Sequence, residues 1–207
     1  MRIHIDGVPA DLASPTGSLA EALSAITSHC TLQKRAITAV LLDGVPIAVG
    51  GGALPSAATV RSESLLEVKT GSMREVAAEV LQGCAEHLSK VMDVFTRAAR
   101  ELRGSDPREG MVTLEQGLQL FIELVEGTGS AMKVLGRGWD GVFTTNETPA
   151  EEVVAELNRL LEETQRAFEN RDTVELGDIM DYDFPPLLRA YQEVLYDLAA
   201  KARAPLH

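Results

Sequence analysis

The chain has 207 residues, of which 31 are acidic and 19 basic, giving a formal charge of −12, and 45% are hydrophobic. That is enough apolar content for one large domain or two small ones, and the negative field around it opposes phosphate backbones and anionic lipid heads, setting aside nucleic-acid and membrane-surface roles. No run of about eighteen apolar residues occurs, Met1-Arg2-Ile3-His4-Ile5-Asp6 alternates instead of forming a signal-peptide core, and the cysteines Cys30 and Cys84 are too few for a disulfide framework, so the expectation is a soluble cytoplasmic protein with buried free thiols.

The first third has strand periodicity. Ile3 and Ile5 alternate with Arg2 and His4, and Asp6-Gly7 is a two-residue hairpin signal leading to Val8 through Leu12. Ser18, with Glu21 three residues on, can cap a helix whose stripe is Leu19, Leu23 and Ile26 and which reaches about Leu32. Ala36 to Leu42, Asp43-Gly44 and Val45 to Val49 then form a second hairpin, and Leu65 to Lys69 a last strand. Ile5-Asp6-Gly7-Val8-Pro9 and Leu42-Asp43-Gly44-Val45-Pro46 nearly coincide, which reads as one turn solution used twice. The order ββαβββ over residues 1–70 resembles the ubiquitin-like β-grasp fold. Sulfur carriers of that fold depend on a free C-terminal Gly-Gly; here the chain runs on through Gly71-Ser72, so carrier chemistry does not transfer. Gly50-Gly51-Gly52 follows a strand but lacks the lysine and Ser/Thr of a P-loop, and reads as a flexible loop.

Residues 72–204 read as a bundle of about four helices, making the fold class α+β. Ser72 and Glu75 form a capping box for a helix of some thirty residues whose stripe includes Val80, Cys84, Leu88, Val91, Phe95 and Leu102. Gly104-Ser105-Asp106-Pro107 breaks it, and Thr113 with Gln116 is expected to cap the next helix, which bends at Gly127 and Gly129 or stops near Gly136. Trp139 either anchors the following connection or, if exposed, marks a binding hot spot. Thr148, Pro149 and Glu151 predict the start of a third helix, and Asp172 with Glu175 that of a fourth, in which Pro185-Pro186 imposes a kink or break near Asp183.

Carboxylates are the main candidates for chemistry. Glu175, Asp178 and Asp181 fall on a slowly rotating helix face, and Glu151, Glu152 and Glu156 precede them on the third helix. Oxygen ligands of this kind suit Mg²⁺. The run Glu175-Leu176-Gly177-Asp178 resembles the ExxD half of the all-α nucleotide pyrophosphohydrolases of the MazG type, which implies Glu152, Glu156, Glu175 and Asp178 as metal ligands. The upstream block, Glu151-Glu152-Val153-Val154-Ala155-Glu156, is one residue longer than that family's EExxE, which turns its last acid by about 100°. The segment Asp172 to Leu188 is also similar to a stretch of uncharacterised bacterial helical proteins, D-x-V-x-L-[AG]-D-[IL]-[LM]-[DE]-Y-[DE]-[LF]-x-P-L-[LF], which implies a family without an activity. There the acids would serve capping and the outer face. His29-Cys30 and Cys84-x-x-His87 contain zinc-ligand atoms, but the first pair is directly adjacent and Cys84 lies on an apolar stripe, so structural cysteines are the reading. No nucleophile elbow, H-E-x-x-H or dinucleotide fingerprint occurs.

The favoured reading assigns no catalytic, cofactor or metal residue: a non-enzymatic interaction or assembly module, with a protein partner or with itself through the stripe from Met73 to Leu102. The alternative is a Mg²⁺-dependent nucleotide pyrophosphohydrolase using Glu152, Glu156, Glu175 and Asp178. Convergence of those four side chains distinguishes the two.

Overall fold

Both Asp-Gly turns take the left-handed backbone that a two-residue hairpin needs. Asp6 and Gly7 have φ of 51° and 81°, and Asp43 and Gly44 have φ of 50° and 81°, which matches the twist of the flanking strands and which glycine adopts without a Cβ penalty. A computed structural model of the chain describes residues 1–10, 12, 19–47 and 64–204; Ser18 and Gly50-Gly51-Gly52 lie outside the described residues. The chain divides into two units, Met1–Val76 and Ala77–His207.

In the first unit, β1 (Arg2–Ile5) pairs with β2 (Val8–Pro9), and β3 (Arg35–Leu42) with β4 (Val45–Ile47). The strand β5 (Leu65–Ser72) lies between the hairpins, parallel to β1 and antiparallel to β3, in the order β2-β1-β5-β3-β4. One face is covered by α1 (Leu19–Leu32), whose Leu19, Ala22, Leu23, Ile26 and Cys30 join Ile3, Val40, Leu66 and Val68 in one core. This is the β-grasp-like arrangement that element order implies.

The repeated turn has a second role. Asp6 accepts hydrogen bonds from the Thr70 N–H at 2.8 Å, the Thr70 hydroxyl at 2.6 Å and the Arg35 guanidinium at 3.0 Å. Asp43 accepts from the Leu65 N–H at 2.8 Å. Each turn aspartate thus holds one end of β5. The bonds from Thr70 first, then the Arg35 charge, keep the Asp6 carboxyl below its ordinary value.

The helical unit is built from α2 (Met73–Leu102), α3 (Pro107–Leu135), α4 (Ala150–Asn170), α5 (Thr173–Asp178), a π-helical turn (Ile179–Asp183) and α6 (Phe184–Arg203). The stripe of α2 is spent inside the unit: Leu81, Leu88, Val91 and Phe95 are all buried, together with Leu114 and Phe121 of α3, Leu157 and Leu160 of α4, and Leu188 and Leu195 of α6. Each such side chain contributes about 1.5–3 kcal/mol through burial. Phe184 centres the aromatic contacts, 4.9 Å from Phe95 and 6.5 Å from Phe121 between ring centroids.

The start of α3 differs from expectation. It begins at Pro107, with Asp106 accepting from the Arg108 N–H at 3.1 Å, and Thr113 lies inside the helix, donating its hydroxyl to Glu101. A proline at the first helical position needs no N–H, so the break that ends α2 also starts α3. Gly127 and Gly129 do not interrupt it; α3 runs to Leu135 and stops at Gly136, the second of the two expected outcomes, with Gly136 capping it at φ 61°. The start of α4 is also shifted, to Ala150, without a side-chain cap. The Ala150 N–H instead donates to Val142 O at 2.9 Å, because the preceding connection folds back through a bridge between Phe143 and Pro149. Trp139 anchors this connection, 6.2 Å from the Tyr191 ring.

Asp172 caps α5 by accepting from the N–H groups of Val174 and Glu175 at 3.2 and 3.0 Å. The expected irregularity near Asp183 is the π-helical turn, closed by a bond from the Phe184 N–H to Ile179 O. Pro185 and Pro186 follow directly, at the start of α6, and the π-helical turn takes up the irregularity that their missing donors and ring bulk impose on the preceding turn.

Candidate functional site

The four acids implied by the resemblance to the pyrophosphohydrolases do not form one cluster among the described residues. Glu152 and Glu156 of α4 line a groove of about 630 Å³ against α6, opposite Asp183, Pro186, Leu187 and Ala190. Glu175 and Asp178 lie before the π-helical turn and are not part of that lining. Among the described residues, no three His, Cys, Asp or Glu side chains gather so as to hold a metal ion.

Asp178 is engaged by a residue that spacing did not single out. Arg103, just past the end of α2, donates to Asp178 Oδ1 at 2.8 Å, Asp181 Oδ2 at 2.7 Å and Gly177 O at 3.1 Å, and its guanidinium carbon lies 5.6 Å from the Tyr182 ring centroid. The planar fork of arginine suits two carboxylates at once. Those bonds, Asp178 first, push the guanidinium pKa further up. A Cβ on Gly177 would lie 3.4 Å from Arg103 Nε and 3.7 Å from Ala99 O. These are ordinary contacts, so the [AG] alternative in the D-x-V-x-L-[AG]-D pattern fits the packing.

Glu156 is engaged as well. Arg159, one turn later on α4, donates to both its oxygens at 2.9 and 2.6 Å and to Glu163 at 2.5 Å. The bonds from Arg159 hold the Glu156 carboxyl below its ordinary value. By contrast, the side chains of Glu152 and Asp183 have no ion-pair or hydrogen-bond partner among the described residues. The groove therefore combines Pro186, Leu187 and Ala190, over the buried Val153 and Leu160, with Thr148, the Glu156–Arg159 pair and two acids that have no side-chain partner among the described residues.

The soft ligands are placed apart. Cys30 and Cys84 are free, buried and in the cores of different units, and burial raises both thiol pKa values. His87 shares a hydrogen bond with Gly83 O at 2.8 Å, and His29 with Gln33 at 3.0 Å. At the other end of α6, Glu193 accepts from the Thr145 N–H at 3.0 Å and Asp197 from the Phe143 N–H at 3.1 Å, so acids one turn apart hold the connection before α4.

Residues 79–194 match a family model described as "Domain of unknown function (DUF8042)". The chain belongs to this family. The matched DUF8042 span contains Arg103, the groove acids and the whole segment from Asp172 to Leu188, whereas the sheet lies before it. No curated protein and no solved structure matches the chain. Among the described residues, no helix is long and apolar enough to cross a membrane.

Proposed function

We propose that this DUF8042 protein is a non-enzymatic interaction or assembly module whose helical unit docks another polypeptide. The observation that supports this reading is the open groove between α4 and α6, with Pro186, Leu187 and Ala190 along one wall and two rim acids, Glu152 and Asp183, that have no side-chain partner among the described residues. The buried centre of an association site is apolar and its rim polar. The alternative, Mg²⁺-dependent nucleotide hydrolysis, requires Glu152, Glu156, Glu175 and Asp178 to act together. Two of those carboxylates, Glu156 and Asp178, already hold arginines.

Placing a photo-cross-linking residue at Pro186, with Glu126 on α3 as a control position, tests the proposal in cells. A discrete polypeptide adduct from position 186 and none from 126 is the expected result. Light scattering over a concentration series reports whether that polypeptide is a second copy. Absence of any adduct from a chain that scatters as a monomer would remove the interaction reading. Mg²⁺-dependent release of nucleoside monophosphate from a triphosphate, abolished by Asp178→Asn, would replace it with the hydrolase.

A further inference from the structure

The chemistry of the groove narrows the partner, given the interaction reading above. We infer that the α4–α6 groove takes an amphipathic helix of a basic partner protein, with aliphatic side chains on Pro186, Leu187 and Ala190 and lysines or arginines at Glu152 and Asp183.

Three observations converge on that occupant. The volume of about 630 Å³ accommodates several side chains, and its position between two helices offers the geometry in which a third helix places anchors three and four residues apart. The accessible aliphatic surface is on α6, where Pro186 is exposed and Leu187 and Ala190 are half-buried, above Val153 and Leu160, which are closed at 4% and 1% exposure. Finally, the cation that lines the groove, Arg159, is held by Glu156 and Glu163, whereas the side chains of Glu152 and Asp183 have no partner among the described residues. Lysine and arginine stems cover apolar surface while their heads remain at a wet rim, so a basic amphipathic helix satisfies aliphatic wall and rim together.

Charge also separates this occupant from a second copy of the chain. At a formal −12, another copy meets like charge on approach. Electrostatic complementarity sets which partner is accepted and how fast it arrives.

Fluorescence anisotropy of the full chain with a labelled synthetic amphipathic helix of leucine and lysine tests the inference. The comparators are the same composition in scrambled order and a leucine–glutamate helix. Saturable binding of the leucine–lysine helix is expected, weakened about tenfold by each of Glu152→Lys and Asp183→Lys, and absent for the scrambled sequence. Both substitutions are on exposed side chains, so the fold is retained; Leu187→Glu, with circular dichroism as a folding check, tests the aliphatic wall separately. Equal binding of the scrambled peptide, or indifference to both charge reversals, overturns the inference. Binding of the leucine–glutamate helix instead, or concentration-dependent dimerisation, overturns the basic partner yet leaves the interaction reading standing. If no peptide binds and position 186 yields no adduct, both fall.

Discussion

The helical unit has two seams of opposite character. Between α2 and α3 the backbones meet at glycines. A Cβ on Gly110 would press on the Leu102 backbone nitrogen and lie 2.8 Å from its Cγ, and one on Gly117 would lie 2.7 Å from the Phe95 ring. Gly127 faces Cys84 Sγ at 3.2 Å in the same sense. The helices α4 and α6 also approach closely, yet both line a solvent-open groove of about 630 Å³. The difference teaches where this sequence puts its constraints: residues that look weak for a helix close one seam, and residues that look merely solvated border the other.

Five measurements would break or sharpen that contrast. The largest effect belongs to the closed seam, where Gly110→Ala should cost on the order of 3 kcal/mol in denaturant unfolding, because the methyl has no space and the backbone must move. An unchanged midpoint would mean that the seam is loose. Next comes Tyr191, buried in the same interior, whose burial raises its phenol pKa to about 12. Its native pKa is above the unfolded one, so its contribution is complete below the unfolded pKa and is lost as pH rises through the native value. Stability should fall by roughly 2 kcal/mol from pH ~10 to ~12, and Tyr191→Phe should lack that part of the slope.

Arg103→Ala is a smaller test. The side chain is 36% exposed, so solvent screens its pairs, and a loss of about 1–2 kcal/mol in thermal unfolding is expected. Arg103→Lys should recover only part of it, since an ammonium lacks the fork; full recovery would show that charge alone matters. The smallest effect belongs to the open seam. Asp183→Asn and Glu152→Gln should each stay within about 0.5 kcal/mol of the parent. Likewise Mg²⁺ should raise the melting temperature little, because only a ligand of the native state does so. A clear Mg²⁺-dependent rise lost in Asp178→Asn would point to a metal site.

Local chemistry made much of this fold legible. Asp6-Gly7, Asp43-Gly44 and the Asp172 cap act within a few residues of themselves, and each forms as its residue types dictate. The β-grasp-like order followed from counting those turns. Failures arose where distant packing decides. Thr113 has a capping hydroxyl, but Glu101 on the preceding helix takes it, and Asp106-Pro107 supplies the start six residues earlier. Gly127 reads as a weak point until Cys84 is seen opposite it. In the candidate site, periodicity placed Glu175 and Asp178 on one stretch of helix. It carried no signal for Arg103, 75 residues away from Asp178 in sequence, nor for the lack of a side-chain partner at Asp183 among the described residues. The nearest local hint was Pro185-Pro186, which located the irregular turn but not the acid that it delivers to the groove.

That π-helical turn, Ile179–Asp183, has an evolutionary consequence. A π-turn is what a regular helix becomes when it accommodates one additional residue. Loss of a single codon within it would restore an uninterrupted α-helix and leave the residues of α6 on nearly the same face, because the turn absorbs the additional residue locally. Pro186 and Leu187 would still meet α4, and only the acids of the turn itself would be re-aimed. Homologues that lack one residue here should therefore keep the packing of α6 and differ in the acids at the groove.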